Sequence, residues 1–278
     1  MSLVVRPAAV AGRFYPGDAR VLAAEVDRYL TEAAPRPADA PAPRAVVVPH
    51  AGYVYSAPVA ATAYRRLVGV TGIRRVVLLG PNHTVPLRGM AVSTADAWRT
   101  PLGDVPVDAA ARAVVIALPG VVADERPHLR EHALEVQLPF LQRVLPEPFA
   151  LLPVVVGETP AVLVADLLDA VWDDATLVVV STDLSHYHDH DTATALDRDT
   201  VAAVAAGTIG GLSPDRACGF HPLRGLLEAS RRHHLDVALL DRRTSGDTAG
   251  DRSAVVGYAS FVVSVPSPTH AATAGAAG

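Results

Sequence analysis

Four aliphatic runs constrain this chain more than anything else in it: "AVVV" at 45–48, "RVVLLG" at 75–80, "FALLPVVVG" at 149–157 and "TLVVVST" at 176–182. Each is rich in β-branched residues and almost continuously apolar, so neither face of such a strand can look at water. Strands of this kind need cover on both sides, and the intervening sequence supplies it. "SAPVAATAYRRL", "EHALEVQLPFLQRV" and "TPAVLVADLLDAVW" carry helical patterning, the second through Ala133, Leu134, Leu138 and Leu141. In the third, Thr159 is placed to cap the helix and Pro160 to occupy its first position. A fifth run, "AVVGYASFVV" at 254–263, completes the strand set. Strands alternating with helices predict an α/β fold: a single domain with a central, mainly parallel sheet flanked by helices. Its expected extent is residues 1–265, followed by a disordered tail at 266–278 that lacks apolar periodicity. The Pro/Ala-rich segment Ala33–Arg44 reads as an extended surface connection.

In an open α/β sheet, ligands bind beyond the carboxyl ends of the strands. Three of the runs deliver polar side chains to that rim. "RAVVVPHAGY" places His50 there, "RRVVLLGPNHT" places His83, and "LVVVSTDLSHYH" places Asp183 and His186. Two imidazoles arriving on separate loops are most simply explained by a shared divalent metal, for which histidine is the commonest ligand. The bland alternative for each, taken singly, is a hydrogen-bonded loop histidine.

Further donors are fewer. Cys218, the only cysteine among 278 residues, sits in "RACGFHPL" before a helix that Pro222 starts. It is either a small buried hydrophobe or a metal-binding or redox thiolate, and His221 beside it is a helix cap or a base for that thiol. Glu131 and His132 open the "EHALEVQLPF" helix, where the dipole favours an acid. Together with Tyr53 they are candidates to contact substrate. His188 and His190 read as a solvated loop, and Asp197 and Asp199 as an exposed helix face. No phosphate loop, dinucleotide fingerprint or nucleophile elbow is present.

Composition narrows the classes further. A net charge of −5 and a pI near 6.1 offer no basic face for nucleic acid. No apolar run approaches the ~18 residues that span a bilayer, and the start is a poor signal peptide. A lone thiol suits a reducing cytoplasm.

Several stretches taken together, "VRPAAVAGRFYP", "PHAGYVYSAPVAATAY", "LLGPNHT", "WRTPLGDVPVD", "EHALEVQLPFLQ", "LLPVVVG", "STDLSHYH" and "CGFHPL", resemble the MEMO family, whose bacterial and archaeal members are called AmmeMemoRadiSam system protein B. The resemblance runs from about Val4 to Val263 in unbroken order. It implies a fold similar to the class III extradiol dioxygenases, which are non-haem iron enzymes. It implies a metal site at His50, His83 and Cys218, with Asp183 and His186 as the adjoining catalytic pair. It also implies association with an AMMECR-type protein and a radical-SAM protein.

A sulfur in place of the dioxygenase carboxylate makes the ligand set softer, suiting iron first, then copper, with zinc also compatible. Two functions follow as expectations. One is a metal-dependent oxidoreductase acting on a small molecule, with His186 as acid/base. The other is a non-enzymatic module that binds a peptide or protein, or handles metal, in the same cleft. A metal-independent hydrolase built on Cys218 and His221 is a minor third.

Overall fold

A computed structural model describes residues 3–146 and 148–266. Of the tail expected at 266–278, residues 267–278 lie outside the described residues. The strands are β1 (Val5–Arg6), β2 (Ala45–Val48), β3 (Arg75–Pro81), β4 (Met90–Val92), β5 (Ala97–Thr100), β6 (Gly103–Pro106), β7 (Val121–Ala123), β8 (Ala150–Val156), β9 (Thr176–Ser181), β10 (His186–His188), β11 (Asp236–Thr244) and β12 (Val255–Ser264). The α-helices are α1 (Ala19–Glu32), α2 (Tyr53–Tyr64), α3 (Ala109–Val115), α4 (Leu138–Val144), α5 (Ala161–Val171), α6 (His190–Ala205), α7 (Phe220–Arg232) and α8 (Ser245–Ala249).

The main sheet runs β10-β12-β2-β9-β3-β8-β4-β7, with β11 also paired to β12. Its centre, β2-β9-β3-β8, is wholly parallel. The flanks turn antiparallel, at β12 against β2 on one side and β4 against β8 on the other. The sheet is therefore mixed, and the four continuously apolar runs are its parallel centre. A separate small sheet, β1-β5-β6, carries the N-terminal segment.

Strand side chains alternate between faces. Val46, Val48, Val76, Leu78, Leu151 and Val179 face a core built with α1, α2 and α4. Ala45, Val47, Val77, Leu79, Leu152 and Val178 face a second core built with α3, α5 and α7. Helices thus cover both faces, as continuous apolarity demanded. Ala33–Arg44 runs without helix or strand.

Local expectations shift in places. Thr159 does not cap α5; Pro160 is the cap residue, and the Thr159 hydroxyl donates to the carbonyls of Gly89 and Gly157. The "EHALEVQLPFLQRV" segment is helical only from a 3-10 turn at Glu135–Gln137 onward, so Glu131 and His132 precede the helix. Asp197 is not on an exposed face. It is 1% exposed, accepts a hydrogen bond from the Ser185 amide at 3.1 Å, and packs against Gly257.

One polar cluster is fully enclosed. Arg6 and Glu135 pair at 2.7 Å with both side chains at 0% exposure. Arg6 also donates to the carbonyls of His128 (2.7 Å) and Glu131 (2.8 Å) while lying 4.1 Å over the Trp98 ring. Glu135 accepts from the Ala9 and Val10 amides and from the Tyr15 hydroxyl. Breaking such a pair strands a buried charge, at about 3–5 kcal/mol. Arg6→Met is expected to lose that much stability in urea unfolding, and Arg6→Met/Glu135→Met to recover part of it. A loss under about 1 kcal/mol in the single variant would show that the pair bears little weight.

His128 beside this cluster is wholly buried, and its Nε2 meets the Ala91 carbonyl at 3.1 Å. Burial, opposed by Glu125 and reinforced by Arg6, pulls its pKa down to about 4. A depressed histidine contributes no pH dependence above its unfolded value near 6.5. As pH falls from about 6.5 towards 4 the unfolded chain takes up the proton first and stability is lost, on the order of a few kcal/mol by pH 4.5. His128→Gln should flatten that decline in unfolding curves at pH 7 and 4.5; parallel declines in both proteins would refute this origin.

Candidate metal centre

Register places the site. Val48 pairs with Ser181 and Leu79 with Val180, so the parallel neighbours β2, β9 and β3 end almost level. Each releases its loop at the same rim, and these loops carry His50, Asp183 and His83. The turn after β3 is pinned where the Asn82 side-chain amide donates to the Val85 carbonyl. His132 arrives from the segment held by Arg6, and its ring rests 4.7 Å from Phe14.

The ligand atoms of His50, His83 and His132 all lie within 4.8 Å of one another, so the three could hold a metal ion. Their ring centroids form a triangle with sides of 5.4, 5.5 and 5.0 Å. The sequence placed His132 against substrate; the structure sets it beside His50 and His83 as a third donor. Cys218 lies next to this group, with Sγ 3.2 Å from His50 Nε2. Donors sharing one tetrahedral cation at bond lengths near 2.1 and 2.3 Å are separated by about 3.6 Å, but Cys218 is not among the donors that all lie within 4.8 Å of one another, so the mutually close set is the three imidazoles. Gly219 makes the approach possible: a Cβ there would come within 2.5 Å of the Thr182 Cβ and 2.6 Å of the Ser181 carbonyl oxygen.

Hydrogen bonding fixes the tautomers. Ser181 Oγ donates its single proton to the Ala133 carbonyl (2.7 Å) and accepts from the Gln137 side-chain amide (2.9 Å). It can only accept from His50 Nδ1, 2.8 Å away, which leaves the His50 Nε2 lone pair facing the site. Glu131 does the same for His83, accepting from Nδ1 at 2.9 Å and from the backbone amide at 2.8 Å. A carboxylate behind a ligating imidazole orients the ring and raises its basicity.

Charges follow from these surroundings. Burial drives His50 well below its ordinary range, with His132 and His83 adding to the effect, so it stays neutral. Burial also lowers His132 and His186. For His83 burial opposes the charge, but the bond to Glu131 and its negative charge outweigh it and the net shift is upward. Glu131 is correspondingly lowered despite its burial. Asp183 is buried and pushed up to about 7, although the His50 amide donates to it at 2.7 Å. Burial, with the charge of Asp183, raises the Cys218 thiol, which keeps its proton unless a cation takes its place.

A cleft of about 970 Å³ opens over these groups, lined by His50, His83, His132, Asp183, His186 and Cys218. Two residues expected to contact substrate do not reach it. Tyr53 is 3% exposed and its hydroxyl donates to the Val136 carbonyl. Two positions along a helix turn by about 200°, so Tyr53 faces the core while Tyr55 lines the cleft. Glu131 is at 0% exposure and spends its oxygens on His83 and the Ala133 amide, so it acts through His83. His188 lines the outer cleft, whereas His190 starts α6 and meets Asp247 at 3.0 Å. His221 belongs to the first turn of α7, and its Nδ1 lies 3.1 Å from the Thr159 carbonyl oxygen. Ser181, Gln137 and Tyr258 were not singled out in the sequence. Only the polar Gln137 inside an apolar helical stretch carried a visible signal.

The model of the family described as Memo-like protein matches residues 6–262. The MEMO1 family proteins of Methanopyrus kandleri and Aquifex aeolicus are 37% and 36% identical, covering 92% and 93% of this chain and 98% of each relative. That of Ignicoccus hospitalis is 35% identical, covering 95% of this chain and 100% of its own. The crystal structure of an uncharacterized protein from Escherichia coli K12 is similar in fold, with a TM-score of 0.53 at 13% identity over 78% of this chain and 98% of that one. With the family model matched from Arg6 to Val262 and relatives aligned along nine-tenths of its length, the chain belongs to the Memo-like family.

Proposed function

We propose that the chain is a metal-dependent oxidoreductase for a small molecule, its metal held by His50, His83 and His132 with Cys218 as the adjoining sulfur donor. The observation that carries this reading is the convergence of the three imidazoles, with Ser181 holding the Nδ1 proton of His50 and Glu131 that of His83, so that each turns Nε2 to the site. Iron is the first choice, copper the second, and zinc also fits imidazole with sulfur. A bound redox metal supplies a Lewis-acidic, electron-transferring centre at the floor of the cleft.

The protein's own groups supply the rest. Asp183, with a pKa near 7, exchanges a proton at working pH. His186, neutral and open to the cleft, accepts one from a bound hydroxyl. Glu131 keeps His83 oriented throughout. The lone thiol suits a reducing cytoplasm, and the family resemblance makes an AMMECR-type and a radical-SAM protein the partners to look for. Among the described residues no helix is long and apolar enough to cross a membrane.

Metal content after anaerobic purification tests the site. His50→Ala, His83→Ala and His132→Ala should each abolish stoichiometric metal. Glu131→Gln should weaken affinity about 10- to 100-fold. Full retention of metal in a His83→Ala/His132→Ala double variant would sink the assignment, and a greater loss in Cys218→Ser than in His132→Ala would move sulfur into the primary set. Oxygen uptake by iron-loaded protein across a panel of catechols and phenols tests the activity. His186→Gln should cut any turnover about 10²- to 10⁴-fold with metal content unchanged. No uptake with any substrate from fully loaded wild type would favour the binding or metal-handling module instead.

A further inference from the structure

Several arginines that sink into this protein take a carboxylate with them. Arg6 pairs with Glu135, Arg75 with Asp108, and Arg232 with Asp166 and Asp169. Arg36 and Arg66 differ. Both are half-buried, and neither forms an ion pair among the described residues. Each makes a single hydrogen bond, Arg36 to the Ala40 carbonyl and Arg66 to the Pro35 carbonyl, both at 2.6 Å. A guanidinium offers five N–H donors, and here the Nε–H of each is enclosed without an acceptor. Burial lowers Arg66 from its usual range, with no acid beside it to oppose the shift. A cation withdrawn from water in this way is stabilised by an anion brought to it.

Both guanidiniums line one pocket of about 180 Å³, and no acidic side chain shares it. Its other walls are mostly apolar, from prolines of the Ala33–Arg44 connection on one side and from Leu240 and Val262 of the sheet on the other. Register explains how the sheet supplies them. Phe261 and Val263 face the core shared with α5 and α7, so Val262 points to the α2 side. Leu239 pairs with Phe261 and Asp241 with Ser260, which leaves Leu240 as the extra residue of a bulge, a device that re-aims a side chain. The pocket flanks the amino end of β2, where Ala45 pairs with Val263, whereas His50 lies past the carboxyl end of that strand. It is therefore separate from the metal centre.

We propose that this pocket is a second ligand site, for a small organic carboxylate whose apolar body covers Leu240 and Val262 and whose carboxylate is held by Arg36 and Arg66. Guanidinium and carboxylate match in charge and in the spacing of their donors and acceptors. The volume falls below the ~300 Å³ at which drug-sized sites begin, so the body is a short chain or a single ring. Inorganic phosphate would meet the same two cations and leave the apolar walls uncovered. The site stands independently of any metal at the three imidazoles.

Methyl NMR of the full chain, labelled at leucine and valine, tests it by titration with hexanoate, hexan-1-ol and inorganic phosphate. Hexanoate should give saturable shifts at the Leu240 and Val262 methyls, and should bind more tightly than the other two. Arg36→Gln/Arg66→Gln should raise the hexanoate Kd about 10- to 100-fold, the value of hydrogen bonds to a charged group, while leaving binding of hexan-1-ol and the metal content unchanged. Arg36→Lys/Arg66→Lys should recover part of the affinity, since it restores the charge without the paired donors. Absence of shifts at Leu240 and Val262 in wild type overturns the proposal, and that reading needs no variant to fold. So does an unaltered hexanoate Kd in the glutamine variant, which would place the carboxylate at another site such as the metal centre. Tighter binding of phosphate, or equal binding of hexan-1-ol, overturns the assigned ligand class.

Discussion

The buried pair of Arg6 and Glu135 organises more of this molecule than any other contact. Without charge neutralisation neither side chain could lie at 0% exposure, and each also satisfies several backbone groups. Arg6 grips the carbonyls of His128 and Glu131, so the segment between them cannot drift. That segment continues into Glu131 and His132, and Glu131 orients His83. An interaction beside the small N-terminal sheet thus sets the direction of two imidazoles at the far end of the central strands. The desolvation cost of the pair is offset by a saturated set of hydrogen bonds, the condition under which buried polar networks specify a single arrangement.

What could be read from the sequence follows from where the physics is local. The runs at Val46, Val77, Leu152 and Val179 are legible because a strand buried on both faces leaves no room for polar residues. β11 escaped notice because it is a largely exposed partner of β12 with a mixed composition, and β4 and β7 because three residues carry no period. The positions of His50, His83 and Asp183 followed from strand ends alone. Their third imidazole did not, since His132 owes its place to the bond from Arg6 to the neighbouring Glu131 carbonyl, 125 residues away in sequence. Tyr53 misled for the opposite reason: its nearness to His50 in sequence says nothing about which side of α2 it occupies.

The protonation pattern of the site is equally a product of burial. A carboxylate oxygen of Asp183 lies 3.9 Å from His50 Nε2 but does not outweigh the burial of that ring, while His83 leans on Glu131; the two neighbouring rings therefore shift in opposite directions. Enclosure pushes Asp183 up to about 7, outweighing the support its charge receives from the backbone amides of His50 and Ala51 and from His83. Of the two acids and three imidazoles gathered here only Glu131 and His83 support each other's charge, an arrangement that leaves the remaining groups open to exchange of protons or capture of a cation.

The level ends of β2, β9 and β3 have a thermodynamic meaning. Side chains mounted on flexible loops must be gathered when a ligand arrives, and the lost conformational freedom weakens binding. Here His50, Asp183 and His83 are gathered when the sheet's hydrogen-bond ladder zips up, since Val48 to Ser181 and Leu79 to Val180 fix the spacing of the three loops. Folding therefore bears the entropy of bringing these three side chains to one rim, a cost that a ligand binding there would not have to meet again.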